Sequence, residues 1–91
     1  MALQSVNPTT GETEKTYDAM NDQQVDDIID AVHETSLSWQ QTSFPERAAL
    51  LNRAAEVLRQ QKQEFAAFMT AEMGKTLSSA EGEVEKCAWV C

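Results

Sequence analysis

Three punctuation marks constrain this chain more than anything else in it. Asn21 is followed three residues later by Gln24, and Ser43 by Glu46, so each pair has the reciprocal pattern that satisfies the free N–H groups at a helix start. Pro45 falls in the first turn after Ser43, where a missing N–H costs little. Gly74 suits the left-handed position that closes a helix, and Lys75 beside it favours the negative end of the helix dipole. Thr76 or Ser78 can then open another helix. Between these marks apolar residues recur at steps of three and four. The spacing predicts helices over 22–40, 44–61, 62–73 and 77–91. Their apolar stripes are Val25, Ile28, Ile29, Val32 and Trp39; then Ala48, Leu51, Ala55 and Leu58, broadened by Leu50 and Val57; then Phe65, Phe68, Met69 and Met73; then Leu77, Ala80, Val84, Ala88 and Cys91.

Ahead of the helices, "LQSV" and "ETEKTYD" are β-compatible and flank "NPTTG", where Pro8 and Gly11 supply the restricted and the permissive backbone of a turn. Residues 3–18 are therefore expected as a hairpin or two extended segments. The fold class is mainly α with an N-terminal β-hairpin and about four helices. Ninety-one residues make one small domain or a part of a larger one. The last helix has no end: after Val84 there is no glycine, asparagine, proline or polar run to cap it. The expectation is that 77–91 is the beginning of a helix cut short.

The net charge is −8, and residues 1–34 hold eight acids against the single base Lys15. A phosphate-binding surface needs the opposite sign, so nucleic acid is excluded as a partner class. The acidic residues read as a solvated helix face. No apolar run approaches the roughly 20 residues that span a bilayer, so no membrane partner is expected. "MALQSVNPTTGE" lacks the basic start and apolar core of a secretory signal. Asn7 is followed by Pro8, which removes it as a glycosylation acceptor. The expected compartment is the cytoplasm.

The residues that suggest chemistry do not assemble into a site. Cys87 and Cys91 are one helical turn apart, but zinc takes about four ligands and His33, the only histidine, is distant. A reactive thiolate needs an electropositive setting, and Lys86 adjoins Cys87 without sharing its helix face. Buried, inert thiols are the expectation, with no metal ligands among the side chains. "GKT" at 74–76 echoes a phosphate-binding loop, yet the required earlier glycine is Met69 and a helix precedes it instead of a strand. It reads as a cap. His33 reads as a solvated or partly packed helix residue, and the Phe65, Phe68, Met69, Met73 stripe as core. No catalytic and no cofactor-binding residue is identified.

Taken together, "SVNPTTGE", "SWQQTSFPERAALLNRAAEVLRQQ" and "EMGKTLSSAEGEVEKCAWVC" resemble the opening of the NAD(P)-dependent aldehyde dehydrogenases. The order and spacing of NP-x-TGE, W-x-x-x-S-x-x-ER and E-x-GK-x-L-x-x-A-x-x-EV carry the resemblance, which covers essentially the whole chain. Within that family, "EMGK" followed by "GEVEKCAWVC" is most similar to the succinate-semialdehyde branch. The resemblance implies an oxidoreductase with a Rossmann-like α/β cofactor domain, to which this segment would contribute, a catalytic domain and an oligomerisation hairpin. It implies NAD or NADP as cofactor, a homo-oligomer, and the remainder of the chain as this segment's partner. The family's nucleophilic cysteine follows a glycine-containing loop segment, which neither "VEKC" nor "AWVC" matches. The 91-residue chain alone is therefore expected to be inactive and to hold no cofactor. The resemblance also places the fourth helix near the substrate funnel, where Gly82 and Lys86 would face an anionic semialdehyde, against the plainer reading of a solvated lysine and a glycine for close packing. Val6 would offer a backbone carbonyl to a monovalent cation. An alternative of another class remains: a standalone acidic helical module that self-associates or binds a partner through uncovered apolar faces.

Overall fold

A computed structural model describes residues 3–91. It contains two strands, β1 (Leu3–Val6) and β2 (Thr13–Tyr17), and four helices, α1 (Asp22–Trp39), α2 (Phe44–Gln60), α3 (Lys62–Met73) and α4 (Leu77–Val90). The expected class, a hairpin followed by four helices, is the observed one.

The strands pair antiparallel, Leu3 opposite Tyr17 and Ser5 opposite Lys15, and the register then slips so that Val6 faces Thr13. Glu14 is the extra residue of that bulge. The turn is built by Asn7, whose Oδ1 accepts from the Thr9 N–H at 2.9 Å and whose carbonyl accepts from the Gly11 N–H at 2.7 Å. Gly11 has φ +76°, a conformation that a side chain would oppose. Both capping boxes form as the spacing predicts, Asn21 with Gln24 and Ser43 with Glu46. Gly74 closes α3 at φ +71°, and Thr76 caps α4 by accepting from the Ser79 N–H.

The core lies where α4 crosses α2 and α3. Ala66 and Ala80 are fully buried and Val84 is 1% exposed, with Leu58, Phe65 and Met69 packed around them. Ala55 and Ala88 complete the buried apolar set. Alanine at so many contacts lets the helix axes approach closely, and the larger side chains seal the edges. The hairpin docks on α3 through the buried Ser5 hydroxyl, which donates to Glu72. Its turn lies over the α3 end, where Pro8 Cγ would stand 3.0 Å from a methyl group placed on Gly74.

α1 takes no part in this core. None of its residues is buried, and Ile29 and Val32 remain 59% and 62% exposed. Its apolar stripe, predicted from periodicity, has no cover among the described residues. The stripes of α2 and α3 are likewise narrower than predicted: Leu51, Phe68 and Met73 are exposed. The Cα radius of gyration is 17.4 Å with extents of 47 × 37 × 14 Å. A compact unit of this length would have a radius near 12 Å. The arrangement is a slab little thicker than one layer of helices.

Candidate functional surface

Each turn of α4 divides into an inner and an outer face. Ala80, Val84 and Ala88 recur at every fourth position and are buried against α2 and α3. Gly82, Lys86 and Val90 also recur at every fourth position, and all three are exposed. A methyl group added to Gly82 would meet no atom within 4 Å, so close packing inside this chain does not explain the glycine.

The charges around Lys86 are arranged unequally. Glu85, the preceding residue, accepts from Lys62 at 2.8 Å and Arg59 at 3.1 Å. Lys62, and after it Arg59, hold the Glu85 carboxyl below the usual carboxylate range. Glu83, on the turn before Lys86, is taken by Lys75 at 2.5 Å. One turn away along the outer face lie Gly82 and Val90, neither charged. Among the described residues Lys86 has no ion pair, leaving an open cation on a strongly acidic chain. Such a position can attract an anion.

The other candidates resolve differently. Cys87 is exposed and Cys91 half-buried, which corrects the expectation of two buried thiols. The buried stripe of α4 is only one residue wide, and Cys87 falls beside Val84 and Ala88. No cluster of three or more metal-ligating side chains occurs among the described residues. The "GKT" step is structural at each residue: Gly74 ends α3, Lys75 pairs with Glu83, and Thr76 caps α4. His33 lies on the exposed surface of α1. Val6 ends β1 beside the bulge, half exposed. No described helix is long and apolar enough to cross a membrane.

Sequence reasoning missed three contacts. Arg47 stacks over the Trp39 ring with its guanidinium carbon 5.4 Å from the centroid, and it also donates to the Trp39 carbonyl at 3.1 Å and to Thr42 Oγ1 at 2.7 Å. It clamps the α1–α2 corner. Ser5–Glu72 and the Glu85 bridge also escaped, because they join residues 67 and up to 26 positions apart with no local signature.

Among the described residues no stretch has the local arrangement that cradles a dinucleotide. That needs a strand, a glycine-rich turn and a helix in immediate succession. Here β1 and β2 are joined to each other, and Gly74 follows a helix.

The chain as a whole matches one known family. The aldehyde dehydrogenase family matches residues 1–91, and the chain belongs to it. It is 44% identical over 88 residues to a succinate-semialdehyde dehydrogenase [NADP(+)] of Mycobacterium tuberculosis, spanning 97% of this chain and 19% of that protein. It is 42% identical over 91 residues to a probable succinate-semialdehyde dehydrogenase [NADP(+)] of Synechocystis, spanning 100% and 20%. The solved succinic semialdehyde dehydrogenase of Streptococcus pyogenes, in complex with NADP+, superposes with a TM-score of 0.85 at 36% identity over 93% of this chain and 19% of that one. The chain thus spans about a fifth of the length of the relatives it matches.

Proposed function

We propose that this chain is the amino-terminal part of an NADP-dependent succinate-semialdehyde dehydrogenase. The observation that carries the reading is identity of 42–44% to proteins of that name along nearly all of its length. The net reaction takes an aldehyde, water and NADP+ to a carboxylate, NADPH and two protons. The nucleophile and cofactor site of that reaction belong to the part of the enzyme beyond these residues. What this chain supplies is scaffold and, at Gly82 and Lys86, a substrate-facing surface. Lys86 draws the carboxylate end of the semialdehyde, and Gly82 leaves room beside it. Val6 contributes one backbone carbonyl to a monovalent cation held with residues elsewhere. The complete enzyme works in the cytoplasm as a homo-oligomer.

The test is an assay of NADP+ reduction with succinate semialdehyde. The 91-residue chain is expected to show none, and the product of the extended reading frame to show it. Reduction by the 91-residue chain itself would overturn the assignment. In the extended enzyme, Lys86→Ala should raise KM for succinate semialdehyde about fivefold, the order of one exposed charge contact. A neutral aldehyde should be unaffected, and an unchanged KM for the anionic one would remove Lys86 from the site.

A second reading, a standalone module working through its apolar faces, is favoured by one observation: α1 has no buried residue.

A further inference from the structure

The α4 helix offers Lys86 one acidic neighbour, and the structure gives that neighbour to another residue. The positions one turn from Lys86 are Gly82, Glu83, Trp89 and Val90, and Glu83 alone among them is charged. A glutamate one turn before a lysine is the favourable order for pairing along a helix. Glu83 Oε2 instead accepts from Lys75 Nζ at 2.5 Å, across the corner between α3 and α4.

Lys75 is placed for this by its neighbours on both sides. Gly74 ends α3 in the left-handed conformation at φ +71°, and Thr76 caps α4 by accepting from the Ser79 N–H at 3.3 Å. Two adjacent caps set the backbone, and the lysine reaches back over the first turns of α4. The contact lies wholly inside the described residues and needs no uncovered face. Glu85, the acid next to Lys86, differs from Glu83 on two counts. It lies about 100° round the helix from Lys86, and it is shared by Lys62 and Arg59, so the loss of one cation leaves it held.

We propose that Lys75 is a positioning residue for anion recognition: by holding Glu83 it keeps the Lys86 ammonium free for the carboxylate of the substrate. The inference rests on the reading of Lys86 as the substrate-facing cation. Lys75 makes no contact with substrate itself. It sets the preference for an aldehyde that bears a carboxylate over a neutral one.

Steady-state kinetics of the complete enzyme test this, with succinate semialdehyde and a neutral aldehyde compared. Lys75→Gln should raise KM for succinate semialdehyde about twofold, the order of one helical ion pair, and leave kcat unchanged. Lys75→Arg can still hold Glu83 and should keep the original KM. Adding Glu83→Gln to Lys75→Gln should restore KM, because no carboxylate then remains to take Lys86. Lys62→Gln removes the same charge elsewhere and should change nothing, since Arg59 retains Glu85. Trace acetylation of the Lys86 amine, followed by peptide mass spectrometry, reads the pairing without turnover. It should slow in Lys75→Gln and recover in the double variant. A KM that responds to Lys86→Ala but not to Lys75→Gln overturns this inference alone. One that ignores Lys86→Ala overturns the reading beneath it as well. An equal rise from Lys62→Gln, an equal rise for the neutral aldehyde, or no recovery in the double variant also overturns the role of Lys75.

Discussion

α1 and the α2–α4 unit were built from the same ingredients and came to different ends. Both have a complete capping box at a helix start, and both carry apolar residues at helical spacing. α1 has the larger side chains, with two isoleucines, two valines, a leucine and a tryptophan, yet buries none. The packed unit uses alanine at four of its five buried apolar positions and excludes water from Ala66 and Ala80 completely. Burial here follows the presence of a facing helix close enough to touch, rather than the hydrophobicity of the stripe. An amphipathic pattern says that a face is suited to cover without saying what covers it.

The largest expected effect breaks this comparison if it fails. Val84→Asp puts an unpaired carboxylate among Ala66, Ala80, Leu58 and Met69, at a cost of about 3 kcal/mol or more. The matching change on α1, Ile29→Asp, should cost less than about 0.5 kcal/mol, as at other exposed positions. Urea denaturation followed by circular dichroism measures both. Equal losses would mean that α1 is covered in solution and that the contrast between the regions is wrong.

Glycine sharpens the same division within the packed unit. Gly74→Ala must hold a side chain at φ +71° and push against Pro8, so a loss of about 1–2 kcal/mol is expected. Gly82 sits in mid-helix with open space around it. Gly82→Ala should stabilise the chain by about 0.5–1 kcal/mol by lowering the entropy of the unfolded state. The outer face of α4 then behaves like α1, as surface, even though its inner face is core. A destabilising Gly82→Ala would show a neighbour at that face.

What was legible in the sequence follows this line. Helix starts were readable because capping is local: Asn21 with Gln24, Ser43 with Glu46, and Gly74 each act within a few residues. The faces were readable from periodicity, and the resemblance in "NPTTGE" and "EMGKTL" pointed to the family that the comparisons establish. The width of each contact was not readable. Periodicity placed Phe68 and Met73 with Phe65 and Met69, and only the second pair reaches the core. Cys87 failed as a buried residue for the same reason, since α4 buries a stripe of small side chains and nothing beside it. The open charge of Lys86 depended on Lys75, Arg59 and Lys62 claiming Glu83 and Glu85, a competition set by the tertiary arrangement.

A smaller effect tests whether the two regions are energetically separate. Asn21→Ala removes the α1 cap and should cost about 1 kcal/mol, the usual value for such a cap. With no buried contact to carry the loss onward, it should appear as faster hydrogen exchange of the α1 amides alone. Exchange within α4 should be unchanged. Faster exchange in α4 would mean that the helices unfold as one unit.

The smallest effect is electrostatic and belongs to the packed unit. Glu85 on α4 is held by Lys62 and Arg59 on either side of the α2–α3 break at Gln61, and its carboxyl is lowered chiefly by Lys62 and next by Arg59. A carboxylate whose folded pKa is lowered stabilises the fold above its unfolded pKa. It loses that contribution as pH falls through the lowered folded value. Acidification below the ordinary carboxylate range should therefore reduce the stability of α2–α4, and Glu85→Gln should flatten that slope. The group is nearly half exposed, so the difference will be small and salt will shrink it further. Among the described residues α1 has no ion pair of this kind, and its own exchange rates should be indifferent to Glu85→Gln. If instead the slope persists in the variant, the bridge across the α2–α3 break adds nothing, and the alanine contacts beneath it hold α4 in place alone.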